Sequence, residues 1–417
     1  MDILKFITCG SVDDGKSTLI GRLLYDSKAV SLDILNAIEA QTKNKDNGDI
    51  DLALLTDGLR AEREQGITID VAYKYFTTPT RKFIVADAPG HVQYTRNMVT
   101  GASTVDAAIV LIDARLGVIE QTRRHSLITS LLGIPHIIVA INKMDLANYD
   151  VEVYEAIVAD YKKIAAQLNM NDISFVPISA LKGDNIVNKS EHTPWYEGKT
   201  LIELLEGIEI NKDKNLTDAR FQVQYVIRPQ TEELHDYRGY AGRIQSGIYT
   251  KGEKVIVQPA GIETTLTKIE VNRVEVETAS AGQSVILHLA NNIDISRGDS
   301  ILVQNALSDI KVENEFSAMI CWFDDKRSLT TGTKLLLQHN SATSKVIVSE
   351  IEYKLEPSTL EKTDAPENIS LNDIVRVNLR TAQPIVFDNY KKNRQTGAFI
   401  LINENTLNTV AAGMIEQ

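Results

Sequence analysis

Along the first half of the chain, apolar residues gather in short, nearly unbroken runs: Leu4–Cys9, Lys82–Ala86, Ala107–Ile112, His136–Ile141 and Ile173–Ile178. Runs of this length without strict alternation mark strands of a mostly parallel sheet that is covered on both faces. Between them the spacing predicts helices over Ser17–Leu24, Gln121–Leu132, Val153–Leu168 and Leu201–Glu206. Strands alternating with helices predict a doubly wound α/β domain over residues 1–212. After the polar segment Asn211–Asn215 the texture changes to short alternating strands, such as Lys254–Val257, Ser284–Leu289 and Lys345–Val348. Glycines at 242, 252, 261, 282, 298 and 332 are expected at the turns between them. This pattern predicts two antiparallel β-barrel domains, over residues 216–308 and 309–417.

The first predicted strand runs directly into Gly10-Ser11-Val12-Asp13-Asp14-Gly15-Lys16-Ser17-Thr18, which fits the phosphate-loop pattern G-x-x-x-x-G-K-[ST]. Gly10 and Gly15 let the backbone approach a polyphosphate, so that successive N–H groups point at its oxygens. Lys16 reaches the outer phosphates, the Ser17 hydroxyl ligates a magnesium ion, and the helix that follows adds its positive N-terminal dipole. Strand, loop, helix is the order that separates this motif from an ordinary glycine turn.

Further segments narrow the ligand. Asp87-Ala88-Pro89-Gly90 follows the second core strand; its carboxylate is a candidate to hold Mg²⁺ through water, and the Gly90 N–H to sense a terminal phosphate. Asn142-Lys143-Met144-Asp145 closes another strand. The Asp145 carboxylate can accept from the N1–H and exocyclic amine of guanine, a pair that adenine lacks, so a desolvated Asp145 selects against ATP. Asn142 can tie this segment to the phosphate loop, and the aliphatic stem of Lys143 can cover the ring. Ser179-Ala180-Leu181 is placed to give backbone donors to the guanine carbonyl. In Arg60–Asp70, Thr68 follows the Gly66 hinge and is expected to fold over Mg²⁺ and the γ-phosphate. His91, next to the phosphate sensor, is the candidate to orient the attacking water, with Lys16 and Thr68 completing the catalytic set. The other histidines, including His125, show no comparable neighbours in sequence.

Composition changes this picture only by exclusion. A formal charge of −12 over 417 residues gives no general drive toward nucleic acid or acidic membranes. Two cysteines, Cys9 and Cys321, stand far apart and outside any metal-ligand spacing, which suits a reducing cytoplasm. No apolar run reaches bilayer-spanning length, and Met1 leads almost directly into a strand. A soluble cytoplasmic protein is expected.

Taken in order, these motifs resemble those of the translation-factor-type GTPases. Within that group the phosphate loop looks like that of the large subunits of bacterial heterodimeric sulfate adenylyltransferases; the tRNA carriers usually have histidine where Asp14 stands. Asp51–Leu59, Gln93–Met98, Thr122–His125, Pro194–Tyr196, Asp236–Gly242 and Ile293–Asp299 fit the same family, while Ala88 replaces its more usual threonine. The resemblance implies GTP and Mg²⁺ as ligands. It also implies coupling of GTP hydrolysis to formation of adenosine 5′-phosphosulfate and pyrophosphate from ATP and sulfate, on a small catalytic subunit in a heterodimer. No second phosphate loop, S-G-G-x-D-S loop or H-x-G-H motif occurs, which accords with an adenylyl-transfer site on the partner. The fused adenylylsulfate kinase of some relatives is expected to be absent. Lys43–Arg63 and the first barrel are the candidate surfaces for the partner. The rival reading is a tRNA-binding elongation-factor-like GTPase.

Overall fold

A computed structural model describes residues 2–30, 52–55, 70–91, 94–210, 214–229, 237–307, 310–364 and 366–416. Two compact units divide the chain: Met1–Ile210 with Pro357–Thr359, and Asn211–Glu356 with Leu360–Gln417.

The first unit is built on six strands: β1 (Ile3–Cys9), β2 (Ala72–Thr77), β3 (Lys82–Asp87), β4 (Ala107–Asp113), β5 (His136–Asn142) and β6 (Ile173–Pro177). Their order is β2-β3-β1-β4-β5-β6, parallel throughout except for the antiparallel edge strand β2. Strand β4 is buried along its whole length, as its uninterrupted apolar run requires. Helices α1 (Lys16–Asp26), α2 (Thr95–Ala102), α3 (Glu120–Leu131), α4 (Val151–Gln167) and α5 (Leu201–Gly207) follow in chain order. Asp150 caps α4 by accepting from the Glu152 N–H at 2.8 Å, and Thr200 with Glu203 forms a capping box on α5. Phe6, Phe76 and Phe83 pack together at one end of the core, Phe76 stacked on Phe83 with centroids 4.7 Å apart. The chain leaves β1 toward β3 on one side and β4 on the other. This reversal opens a crevice at the carboxyl ends of the strands, where doubly wound sheets bind ligands.

The second unit holds two closed antiparallel barrels. The first uses β7 (Arg220–Gln222), β8 (Gly239–Ser246), β9 (Lys254–Gln258), β10 (Ile262–Val271), β11 (Ser284–Leu289) and β12 (Ser300–Val303). It closes in the order β9-β12-β7-β8-β11-β10, with β10 returning to β9. The second uses β13 (Lys311–Trp322), β14 (Lys334–His339), β15 (Ala342–Leu355), β16 (Ile374–Phe387), β17 (Ala398–Ile402) and β18 (Thr409–Ile415). Its order is β14-β17-β18-β13-β16-β15, with β15 returning to β14. Closure leaves neither barrel an open edge.

Gly242, expected at a turn, lies inside β8. A methyl group there would come within 2.6 Å of the Gln222 carbonyl oxygen and 2.8 Å of the Phe221 ring, so close strand packing explains this glycine. In this unit Arg220 and Asp388 form a buried bidentate pair, with both hydrogen bonds at 3.0 Å and each side chain 1% exposed. Thr396 Oγ1 donates to the same carboxylate at 2.6 Å.

Candidate functional site

Four of the five sequence-predicted segments meet at the carboxyl edge of the first sheet. β1 ends at Cys9 and leads into the phosphate loop, β3 ends at Asp87, β5 ends at Asn142, and Ser179–Leu181 follows β6. Thr68 and the rest of residues 56–69 lie outside the described residues, as do 31–51, so that of the Lys43–Arg63 loop expected to meet a partner only residues 52–55 are described.

The phosphate loop curls through two left-handed residues, Asp13 at φ 66° and Gly15 at φ 92°. Gly15 is the N-cap of α1 and supplies no side-chain cap, so the first N–H groups of the helix face the loop interior. A methyl group at Gly15 would lie 2.5 Å from Asn142 Nδ2, which makes glycine obligatory on two counts. Lys16 is buried, and its Nζ donates to the Gly10 and Ser11 carbonyls at 3.0 and 2.7 Å. Burial lowers the Lys16 pKa, a shift opposed by the charges of Asp87 and Asp14. Asp14 is itself buried and accepts from the Ser11 N–H, stapling the loop across its mouth. Burial raises the Asp14 carboxyl pKa, and the Ser11 hydrogen bond and the Lys16 charge hold it back.

Asp87 is buried behind this loop, with Thr8 Oγ1 3.4 Å from its Oδ1. A methyl group on Gly90 would meet Lys16 Nζ at 2.7 Å and the Gly10 oxygen and Val12 nitrogen at 2.9 Å. The Asp87–Gly90 turn therefore lies directly on the phosphate loop, at the ammonium. The donor set fits a hard divalent cation, since Ser17 and Asp87 offer only oxygen. Among the described residues no group of three or more His, Cys, Asp or Glu gathers to hold a metal alone, so phosphates and water would complete the shell.

Asn142 joins three segments. Its Nδ2 donates to the Asp14 carbonyl at 2.7 Å, and its Oδ1 accepts from the Ala180 N–H at 2.9 Å. One of the backbone donors expected for a base carbonyl is thus engaged within the protein. Lys143 adopts φ 62° and sends its Nζ to the Asp13 carbonyl and to Asp113 Oδ2, the latter at 2.9 Å. Met144 is fully buried, while Asp145 beside it is half-exposed.

The sequence profile of the Elongation factor Tu GTP binding domain matches residues 1–222, and that of the GTP-eEF1A C-terminal domain-like family matches residues 315–416. "Sulfate adenylyltransferase subunit 1" of Alteromonas mediterranea is 51% identical over 99% of this chain and 87% of its own. The protein of the same name from Bacteroides fragilis is 49% identical, over 99% and 86%. The chain belongs to the sulfate adenylyltransferase subunit 1 family. It also shares 50% identity with the "Bifunctional enzyme CysN/CysC" of Mycobacterium tuberculosis, over 99% of this chain and 67% of that one.

Four residues of this family member complete the site without having been singled out from sequence. Asp113, at the end of β4, is 2% exposed and takes hydrogen bonds from Lys143 and Arg115. Burial alone would raise its pKa, yet these cationic donors hold it well below the usual carboxylate range. Its place at a strand end, like that of Asp87, was a usable signal. Arg22 of α1 reaches the Ala180 and Leu181 carbonyls, fixing the Ser179–Leu181 turn. Gln121 and His125 lie one turn apart on α3, with Gln121 Nε2 2.9 Å from the Gly90 oxygen and 3.0 Å from His125 Nε2. His125, without comparable neighbours in sequence, thus acquires one that reaches Gly90 through the fold. His91 is half-buried, and its Nδ1 has no hydrogen-bond partner among the described residues.

Proposed function

We propose that this chain is the GTP-hydrolysing subunit of a sulfate adenylyltransferase. In this reading it binds GTP and couples hydrolysis to formation of adenosine 5′-phosphosulfate and pyrophosphate from ATP and sulfate on a small catalytic subunit. The observation that carries the reading is the convergence of Lys16, Asp87, Gly90 and Asn142 at one sheet edge, in a chain about half identical to proteins named sulfate adenylyltransferase subunit 1.

Gly10–Thr18 cradles the phosphates, with Lys16 serving the outer ones. Asp87–Gly90 responds to the γ-phosphate, and His91 orients the attacking water. Asn142–Asp145 and Ser179–Leu181 take the base, Asp145 selecting guanine by its two acceptor oxygens. Ser17, Asp87 and Thr68 would hold Mg²⁺, which supplies neutralisation of the charge on the β- and γ-phosphates. The protein acts in the cytoplasm, in keeping with its two buried cysteines, Cys9 and Cys321. Among the described residues no helix is long and apolar enough to cross a membrane.

The test is GTP turnover by the full chain alone and with a candidate small subunit, each with and without ATP and sulfate. Stimulation that requires the small subunit and its substrates is expected. Unchanged turnover, together with tight binding of aminoacyl-tRNA, would place the chain among the tRNA carriers instead.

A further inference from the structure

We infer that Gln121 and His125 are positioning residues for GTP hydrolysis, setting the placement of Gly90 and His91 from beneath. The inference rests on the reading of His91 as the residue that orients water.

Gly90 is held from two sides. On one side the phosphate loop leaves no room for even a methyl group, which would approach Lys16 Nζ to 2.7 Å. On the other, Gln121 Nε2 donates to the Gly90 carbonyl at 2.9 Å. The Gly90 carbonyl and the His91 N–H belong to one planar peptide unit, so fixing the carbonyl fixes the direction in which the chain enters His91. Beyond Gly90, the His91 carbonyl accepts from the Tyr94 N–H at 3.1 Å and its ring makes an edge contact with the Tyr94 ring at 6.2 Å, while the imidazole Nδ1 has no hydrogen-bond partner among the described residues.

The second hydrogen of the same Gln121 amide points to His125 Nε2 at 3.0 Å. With Gln121 as donor, Nε2 must carry the lone pair and Nδ1 the proton. Burial pushes the His125 pKa down to about 3, with Lys16 and Arg124 adding to the effect, so the imidazole is neutral and keeps that lone pair. The buried Nδ1 has no hydrogen-bond partner among the described residues. A core histidine kept neutral with an unsatisfied N–H is costly for packing alone, whereas as an acceptor it aims the Gln121 amide at Gly90. Gln121 and His125 share a face of α3 at the i, i+4 spacing this requires.

The test is a double-mutant cycle on the full chain, measuring kcat and KM for GTP and the affinity for GDP. Gln121→Ala is expected to lower kcat about tenfold with KM and GDP affinity within about twofold. Gln121→Glu, similar in size but unable to donate as a carboxylate, should be at least as slow, and it covers the case in which the alanine variant fails to fold. In a His91→Ala background, loss of Gln121 should cost little more, because one residue acts through the other. Normal kcat for both Gln121 variants, or losses that multiply with that of His91→Ala, would overturn the inference. A His91→Ala enzyme that hydrolyses GTP normally would instead overturn the reading of His91, and this inference with it.

Discussion

Asn142→Ala removes the carboxamide that ties the phosphate loop to the segment after β6. The side chain is 2% exposed and makes two hydrogen bonds, to the Asp14 carbonyl at 2.7 Å and from the Ala180 N–H at 2.9 Å. Truncation leaves both backbone groups without that partner at a buried position. An abandoned buried donor or acceptor costs about 1–3 kcal/mol, so the pair costs about 2–4 kcal/mol once partial access of water to the carbonyl is allowed for. A tenfold change in an equilibrium constant is about 1.4 kcal/mol, so affinity should fall by about 30- to 700-fold if the whole cost falls on the bound state. In the proposed function both loops serve any guanine nucleotide, so GDP and GTP should suffer alike. Titration calorimetry with each nucleotide reads this directly. Affinities within twofold of the unmodified protein, or a loss confined to GTP, would refute the assignment of Asn142 as the tie between loops.

Three further perturbations probe other parts of the account. Asp145→Asn should shift preference from GTP toward xanthosine triphosphate, because the purine 2-position changes from donor to acceptor; unaltered GTP affinity in competition binding would contradict the base assignment. Asp388→Ala removes the carboxylate paired with the buried Arg220 guanidinium and should cost the barrel unit about 3–5 kcal/mol in urea unfolding, whereas Arg220→Met combined with Asp388→Leu should recover most of it. His125 carries a pH signature. Its folded pKa is about 3 against an ordinary 6.5, so below pH 6.5 the unfolded chain binds a proton that the folded chain refuses. Stability contributed by this site is intact above pH 6.5 and falls by about 1.4 kcal/mol per pH unit as the pH drops toward 3. Relative to the unmodified protein, His125→Gln should therefore gain about 2 kcal/mol between pH 7 and pH 5 in denaturant titrations of the GTPase unit. Parallel pH dependences would contradict the burial argument.

The placement of the candidate residues at strand ends was legible because parallel strands buried on both faces write themselves as apolar runs, and each run ends at the carboxyl edge of the sheet. Asp87 and Asn142 stand at such ends, and so does Asp113, which the same logic reaches once the run Ala107–Ile112 is followed one residue further. Strand β2 was harder to see. It is an edge strand with Tyr73 and Tyr75 exposed, so its alternation of aromatic and polar residues carries no core signature. Gly242 was read as a turn because glycine usually punctuates barrels, but here the Phe221 ring and the Gln222 carbonyl occupy the place of a side chain. The supporting residues stayed hidden for a different reason. Arg22 reaches carbonyls of Ala180 and Leu181 far along the chain, Gln121 reaches Gly90 and Arg220 reaches Asp388, and such pairings exist only once the fold brings the partners together. A lone histidine in a helix gives no sign that the glutamine one turn before it will reach Gly90.

The central claim is that GTP hydrolysis on this chain drives adenylation of sulfate on its partner, and the yield of adenosine 5′-phosphosulfate measures it most directly. The purified chain and a small catalytic subunit are mixed with ATP and sulfate, and product is followed to completion with GTP, with GDP and without guanine nucleotide. Product should rise far above the level reached by ATP and sulfate alone, only with GTP, and with GTP consumed as product forms. An end point that is the same with and without GTP would contradict it.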